Sequence, residues 1–296
     1  MPFIGELSAL GTAFCWSGSS MAFTAASERI GSLQLNINRM ILGVFFLLST
    51  ILIMDLNYSV SSYQFNFLVA SGFVGFVIGD SFLFQSFRMI GARVGMLMMS
   101  LVPAISTILA YFFLHEVINY WGILGIIITL SGIALVILQK NPGVASKYKL
   151  SKPGIFFGFM GAFGQAAGMV LAKFAFQESH INGFVATFIR LASAVIIFLP
   201  LVALARKYKN PFKVYKKDIK ALGFTITGTI FGPFLGVTSS LIAIANTKIG
   251  IASTIMATVP VIMLPLVRLI YKEKLTWQSV IGAFLAVGGV SILFLR

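Results

Sequence analysis

The sequence predicts an all-α polytopic membrane protein, with ten transmembrane helices arranged as two inverted five-helix repeats. Three observations carry that prediction. Of 296 residues, 58% are hydrophobic and only 10% charged, with a mean hydropathy of +0.97, whereas soluble domains carry roughly 25% charged residues. Ten apolar stretches approach the ~20 residues that cross a ~30 Å hydrocarbon layer as a helix. The chain also repeats itself: Pro103 and Pro260, Glu116 and Glu273, Gly125 and Gly282, and Gly132 and Gly289 each lie 157 residues apart. Self-similarity over half a chain marks a duplicated unit.

The ten stretches run approximately over 3–25, 36–54, 65–87, 94–113, 120–138, 154–176, 183–205, 219–244, 249–270 and 277–295. Helices are expected, because in lipid the backbone must satisfy its own polar groups and these segments are too long for barrel strands. The first two spans have partners as well. Gly11 matches Gly161 and Gly18 matches Gly168 at an offset of 150, and Arg39 matches Arg190 at 151. Gly75 with Gly228 and Gly79 with Gly232 share an offset of 153, and Gly95 with Gly250 has 155, a drift that needs only short insertions in loops. The chain therefore divides into a first repeat over 1–138, a linker over 139–153 containing Pro142, Gly143 and Pro153, and a second repeat over 154–296. Because five is odd, the second copy enters the membrane in the opposite sense.

Loop charges bear on orientation. The net charge of +14 comes from basic residues in the odd-numbered connections: Arg29; Arg88 and Arg93; Lys140, Lys147, Lys149 and Lys152; the stretch 206–220, RKYKNPFKVYKKDIK; and Lys272 with Lys274. The even-numbered connections hold little beyond Lys248. The positive-inside rule places the basic set in the cytoplasm and, with ten spans, both termini outside. This distribution accounts for the charge without a nucleic-acid partner. The 206–220 stretch reads as a topology determinant held near anionic membrane lipids, or as a site of lipid sensing or substrate capture.

No cofactor or metal is expected. The lone Cys15 excludes an internal disulfide and a cysteine-rich metal site, and two histidines with eight scattered acidic residues form no metal-binding, P-loop or dinucleotide motif. The N-terminus lacks a basic region before its apolar run and reads as the first span.

Candidate site residues follow from polar groups inside spans. A carboxylate near the centre of a span costs ~2.5–3.5 kcal/mol on insertion scales, so Asp80, in IGDSFLFQSF, should face protein or water. It reads either as a proton or substrate-amine site, through which protons could be the coupling ion, or as a brace acting through Ser81. Its counterpart in the second copy is Pro233. Arg39 and Arg190 form a matched pair that either fixes each repeat by snorkelling and carbonyl contacts or binds an anionic substrate group. Lys173 has no cationic counterpart, Phe23 standing in its place, and either snorkels or lines a cavity. Trp16 and Gln165, in the glycine-rich spans one and six, are cavity candidates amid small residues that permit close helix approach. Thr238 and Ser239 interrupt span eight near Pro233, which removes a helical hydrogen bond and frees a carbonyl; Pro103 and Pro260 are expected to break spans four and nine in the same way. Paired breaks of this kind point to a midmembrane binding site. Glu116 and Glu273 read as structural acids at helix starts, and His115 and His180 as interfacial residues.

The segment GDSFLFQSFRMIGARVGMLMMSLVPAISTILAYFFLHEVINYWGILGIIITLSGIAL, and its second copy IANTKIGIASTIMATVPVIMLPLVRLIYKEKLTWQSVIGAFLAVGGVSILFL, resemble the drug/metabolite transporter superfamily, and within it the ten-helix family of two EamA-type domains. The resemblance spans essentially the whole chain and rests on length and duplication. It implies an inner-membrane carrier that alternates access between two halves, with a central cavity lined by helices one, three, four, six, eight and nine. Glu6 lies too near the start of span one to be the membrane glutamate of the related four-helix multidrug pumps. The reading is a secondary transporter, not an enzyme, exporting a small metabolite of amino-acid-like character. A drug or hydrophobic-cation exporter is the alternative, with an enzyme acting on lipid-linked substrates more remote. Composition and spacing leave the oligomeric state open.

Overall fold

The two halves meet helix against helix, and the pairing follows from the repeat. The structure, a computed structural model, describes residues 3–138, 151–259, 261–262 and 277–294. Pro260, Glu273, most of the 139–153 linker and the latter part of the expected ninth span lie outside the described residues. The first half contains α1 (Ile4–Ile30), α2 (Ser32–Ile53), α3 (Ser62–Gly72), a π-helical turn (Phe73–Gly79), α4 (Asp80–Met99), α5 (Val102–Leu114) and α6 (Tyr120–Leu138). The second contains α7 (Lys152–Glu178), α8 (Gly183–Leu204), the short α9 (Pro211–Lys217), α10 (Ile219–Thr229), a second π-helical turn (Ile230–Val237), α11 (Thr238–Asn246), α12 (Ile249–Met256) and α13 (Trp277–Phe294).

Among the described residues, five helical stretches are long and apolar enough to cross a membrane, namely Ser32–Ile53, Ser62–Ser86, Lys152–Glu178, Gly183–Leu204 and Ile219–Asn246; shorter apolar helices lie at Val102–Leu114, Tyr120–Leu135 and Val280–Ile292. The 27-residue α1 is long but less apolar, since Thr12, Ser17 and Ser19 are turned into protein. Exchanging the halves maps the packing onto itself. α2 packs on α8, α5 on α12 and α6 on α13, while α1 packs along α10, the second π turn and α11 as α7 packs along α3, the first π turn and α4.

Glycines permit these approaches. A Cβ on Gly132 would lie 2.4 Å from the Ala286 nitrogen and 2.5 Å from the Gly282 carbonyl oxygen, and one on Gly289 would lie 2.4 Å from Thr129 Oγ1. The glycines that punctuate the repeat in sequence thus meet one another across the α6–α13 seam. On α7, a Cβ on Gly164 would lie 2.7 Å from Gly79 Cα, and one on Gly168 would lie 3.1 Å from Gly75 Cα. Such glycine contacts bring the backbones together where packing replaces the hydrophobic effect as the driving force.

Two sequence expectations change. The third span does not end near residue 87 but stays helical to Met99; no proline occurs between residue 87 and Pro103, and the helix continues through Gly91 and Gly95. Pro103 in turn does not interrupt a helix; it stands in the first turn of α5, where its missing N–H removes no helical bond. Pro233, by contrast, does sit inside a helix, within the second π turn. The wider i→i+5 turn accommodates the ring that would clash in a regular α-helix.

Candidate functional site

A cavity of about 900 Å³ runs into the bundle, within the range of small-molecule sites. Its walls come from α1, the start of α2, the first π turn and α4, the start of α5, α7, the second π turn, α12, and the connection holding Lys207 and Lys209. This is the set of helices implied by the resemblance, with helix two and the basic connection added. At its mouth stand residues of the α1–α2 corner, from Ser27 to Gln34, with Lys207 and Lys209 opposite.

Asp80 forms the charged centre. As the first residue after the π turn it projects into the cavity while its helix packs on α7. Arg39 Nη2 donates to Asp80 Oδ2, and Gln165 Nε2 donates to Asp80 Oδ1 at 2.6 Å and to the Gly75 carbonyl at 3.3 Å. The brace expected through Ser81 is not formed, since Ser81 Oγ is buried with no hydrogen-bond partner among the described residues. The carboxylate instead pairs directly, because a guanidinium and an amide reach it from two other helices. Arg39 is held by Asn36 Oδ1, at 3.0 Å from Nε and 2.9 Å from Nη2, and its guanidinium lies 5.2 Å from the Phe23 ring centre and 5.3 Å from that of Phe84. Neither Arg39 nor Arg190 snorkels to an interface; both are buried. Arg190 sits 4.9 Å from the Phe76 ring centre, is not among the cavity-lining residues, and has an Nε with no hydrogen-bond partner among the described residues.

Trp16 and Gln165 line the cavity. Trp16 and Phe23, seven residues apart on one face of α1, rest on glycines of the eighth span. A Cβ on Gly236 would lie 2.6 Å from the Trp16 ring, and one on Gly228 would lie 2.5 Å from the Phe23 ring. Thr238 is turned away and donates to Thr187 Oγ1 at 3.2 Å. Neither Thr238 nor Ser239 is among the lining residues, nor are Pro103 and Pro233. Phe23, Phe84, Lys207 and Lys209 line the cavity as well, although the sequence does not mark them as cavity residues. Helical spacing from Trp16 and from Asp80 is the signal that points to Phe23 and Phe84, whereas only the folded connection brings the lysines to the mouth.

Lys173 is also outside the lining and joins the two halves on the opposite face. Its ammonium donates to the Ile244 carbonyl, to the Thr247 carbonyl at 2.9 Å, and lies 3.5 Å from Glu116 Oε1. Glu116 does favour a helix start, but the helix belongs to the other half: Oε2 accepts the Ile249 N–H at 2.8 Å, at the beginning of α12. Thr247 Oγ1 donates to Glu6 Oε1 at 2.9 Å, Lys248 Nζ to the Val117 carbonyl at 2.5 Å, and Gln64 Nε2 to Ser179 Oγ at 2.9 Å. The face formed by the even-numbered connections is thus tied shut while the cavity opens among the odd-numbered ones.

The open face has its own order. Gln34 and Lys209 exchange side-chain and backbone hydrogen bonds of 2.8 and 3.0 Å. Tyr208 donates to Asn38 Oδ1 at 2.8 Å while Asn38 donates to the Tyr215 hydroxyl at 2.9 Å. Burial, with Tyr215 beside it, raises the Tyr208 pKa and keeps the phenol a donor. Arg29 pairs with Asp218 at 2.8 Å. The hydrogen bond from Arg29, followed by that from the Ala221 N–H, lowers the Asp218 carboxyl below the usual range.

No curated protein matches the sequence. A solved structure described only as "Crystal structure of protein" superposes with a TM-score of 0.78 at 16% identity, covering 99% of this chain and 96% of that one; at that identity the likeness concerns the fold. The model of the EamA-like transporter family matches residues 3–138 and again residues 152–295. That double match covers nearly the entire chain, and the protein belongs to the EamA-like transporter family.

Proposed function

We propose that this protein is a secondary transporter that exports a small, amino-acid-like metabolite across the inner membrane by alternating access between its two five-helix halves. The observation that carries the reading is a cavity open at one face, sealed at the other, and ending on the Asp80–Arg39 pair. An amino acid presents both charges, and a buried carboxylate beside a guanidinium offers a counter-charge to each. Trp16, Phe23, Phe76 and Phe84 supply apolar walls for a side chain. The open face bears the basic connections and is assigned to the cytoplasm, so the described state is inward-open and ready to load cargo for export. The charged lining comprises Arg39, Lys207 and Lys209 against Glu28 and Asp80, and this excess of basic groups favours the metabolite over a hydrophobic cation.

Transport then needs the contacts around Lys173 and Glu116 to release as the open face closes. Purified protein in proteoliposomes should show counterflow with members of an amino-acid and metabolite panel, and concentrative movement under an imposed gradient distinguishes a carrier from a passive channel. Asp80→Asn should lower counterflow and proton-driven uptake at least about tenfold, the scale of one charge-assisted hydrogen bond. Unchanged proton-driven transport removes Asp80 from the mechanism.

A further inference from the structure

The repeat gives each half an arginine at the matched position, Arg39 and Arg190, but only the first half has a carboxylate to go with it. Where the first copy has Asp80 the second has Pro233. The consequence is visible at the centre of the bundle: Arg39 is 7% exposed, Arg190 4% and Asp80 6%, and among the described residues the carboxylate forms an ion pair with Arg39 but none with Arg190. The Arg190 Nε is buried and has no hydrogen-bond partner among the described residues. Arg39 spends Nε and Nη2 on Asn36 and Asp80, and its Nη1 makes no hydrogen bond among the described residues. A buried charge without a counter-charge costs several kcal/mol. The buried centre is one negative charge short, and the cavity that reaches Arg39 and Asp80 is also lined by Glu28, Lys207 and Lys209.

We propose that this missing charge is supplied by the cargo: the centre is a site for one anionic group, a carboxylate or a phosphate monoester, which docks on Arg39 in place of Asp80. In the empty carrier Asp80 occupies Arg39 and competes with the cargo, which lets the bound anion leave again. Guanidinium geometry suits either kind of anion, and the aromatic rings around Arg39 shape the space beside it. This inference rests on the transporter reading and narrows its substrate class to compounds that carry an anionic group.

The test uses four probes of one size on the purified full-length protein: L-phenylalanine, 3-phenylpropionate, phenyl phosphate and L-phenylalaninamide. Binding is read from tryptophan fluorescence and from the shift in thermal unfolding. Phenylalanine and at least one of the two simple anions should bind, and the cationic amide should bind at least about tenfold more weakly. Preference between 3-phenylpropionate and phenyl phosphate identifies which anion the site takes. Arg39→Gln should weaken the anionic probes about tenfold to a hundredfold, with partial recovery in Arg39→Lys. Asp80→Asn should bind them more tightly while its counterflow slows, a split that loss of structure would not produce.

Equal binding of the amide, or failure of all four probes to bind, overturns the proposal, and that comparison needs only the wild-type protein. Concentrative transport of the amide as fast as phenylalanine keeps the carrier reading and ends the anion requirement. Arg39-dependent binding of the anions without movement across the bilayer does the reverse.

Discussion

A carboxylate is tolerated inside a transmembrane helix when it is paired, and Asp80 meets that condition through Arg39 and Gln165, which arrive from α2 and α7. The chain shows that a buried acid must have partners, but the partners lie 41 and 85 residues away and only folding selects them. Lys173 makes the same point with the opposite outcome. Its isolation in an apolar span suggests a cavity, yet backbone carbonyls at the end of α11 and Glu116 capture it. At the open face, the Arg29–Asp218 pair offers a test by titration. The Asp218 carboxyl is lowered in the folded protein, so the bridge contributes stability above the unfolded-state pKa and loses it as pH falls through the folded one. Asp218→Asn should therefore reduce the thermal stability of the solubilised protein near pH 7, and the difference from wild type should fade below about pH 4.

At the scale of elements, the sealed face depends on helix ends meeting across the two halves. Glu116, at the end of α5, accepts the Ile249 N–H at the start of α12, and Lys173 on α7 bridges that carboxylate to the end of α11. Lys173→Met should loosen these ends and shift the population toward the opposite opening. Hydrogen–deuterium exchange should then rise in segments 115–118 and 246–249 and fall at 27–34 and 207–209, which close together. A rise confined to the first pair would mean that the contacts brace the sealed face without gating it. The π turns at Phe73–Gly79 and Ile230–Val237 occur in the third span of each half. Only the second contains a proline, so a proline count detects one and misses the other. Gly72, just before the first, and Gly75 and Gly79 within it are seated against Arg190 and α7, and it is this packing that the wider turn serves.

For the whole molecule, the duplicated pattern predicts the self-mapping contacts of the two halves, and the loop charges predict which face meets the cytoplasm. Single cysteines placed in the 206–220 connection of a Cys15→Ser background should resist impermeant thiol reagents in intact cells, whereas one at His180 should label. Ready labelling of the 206–220 sites inverts the orientation and with it the direction of loading.

The sequence by itself determined the class, the repeat and the pairing of glycines across it, because hydropathy, span length and fixed offsets are local or periodic properties that survive without coordinates. It also marked Asp80, Arg39, Arg190, Trp16 and Gln165 as residues that an apolar span must account for. Which of them meet was decided only by the tertiary structure. Side chains on different helices come together according to crossing geometry and glycine contacts, such as Gly79 on Gly164. The same packing takes Lys173 and Thr238 to other partners, closes one face on Glu116, and leaves Asp80 paired with Arg39 on the cavity wall.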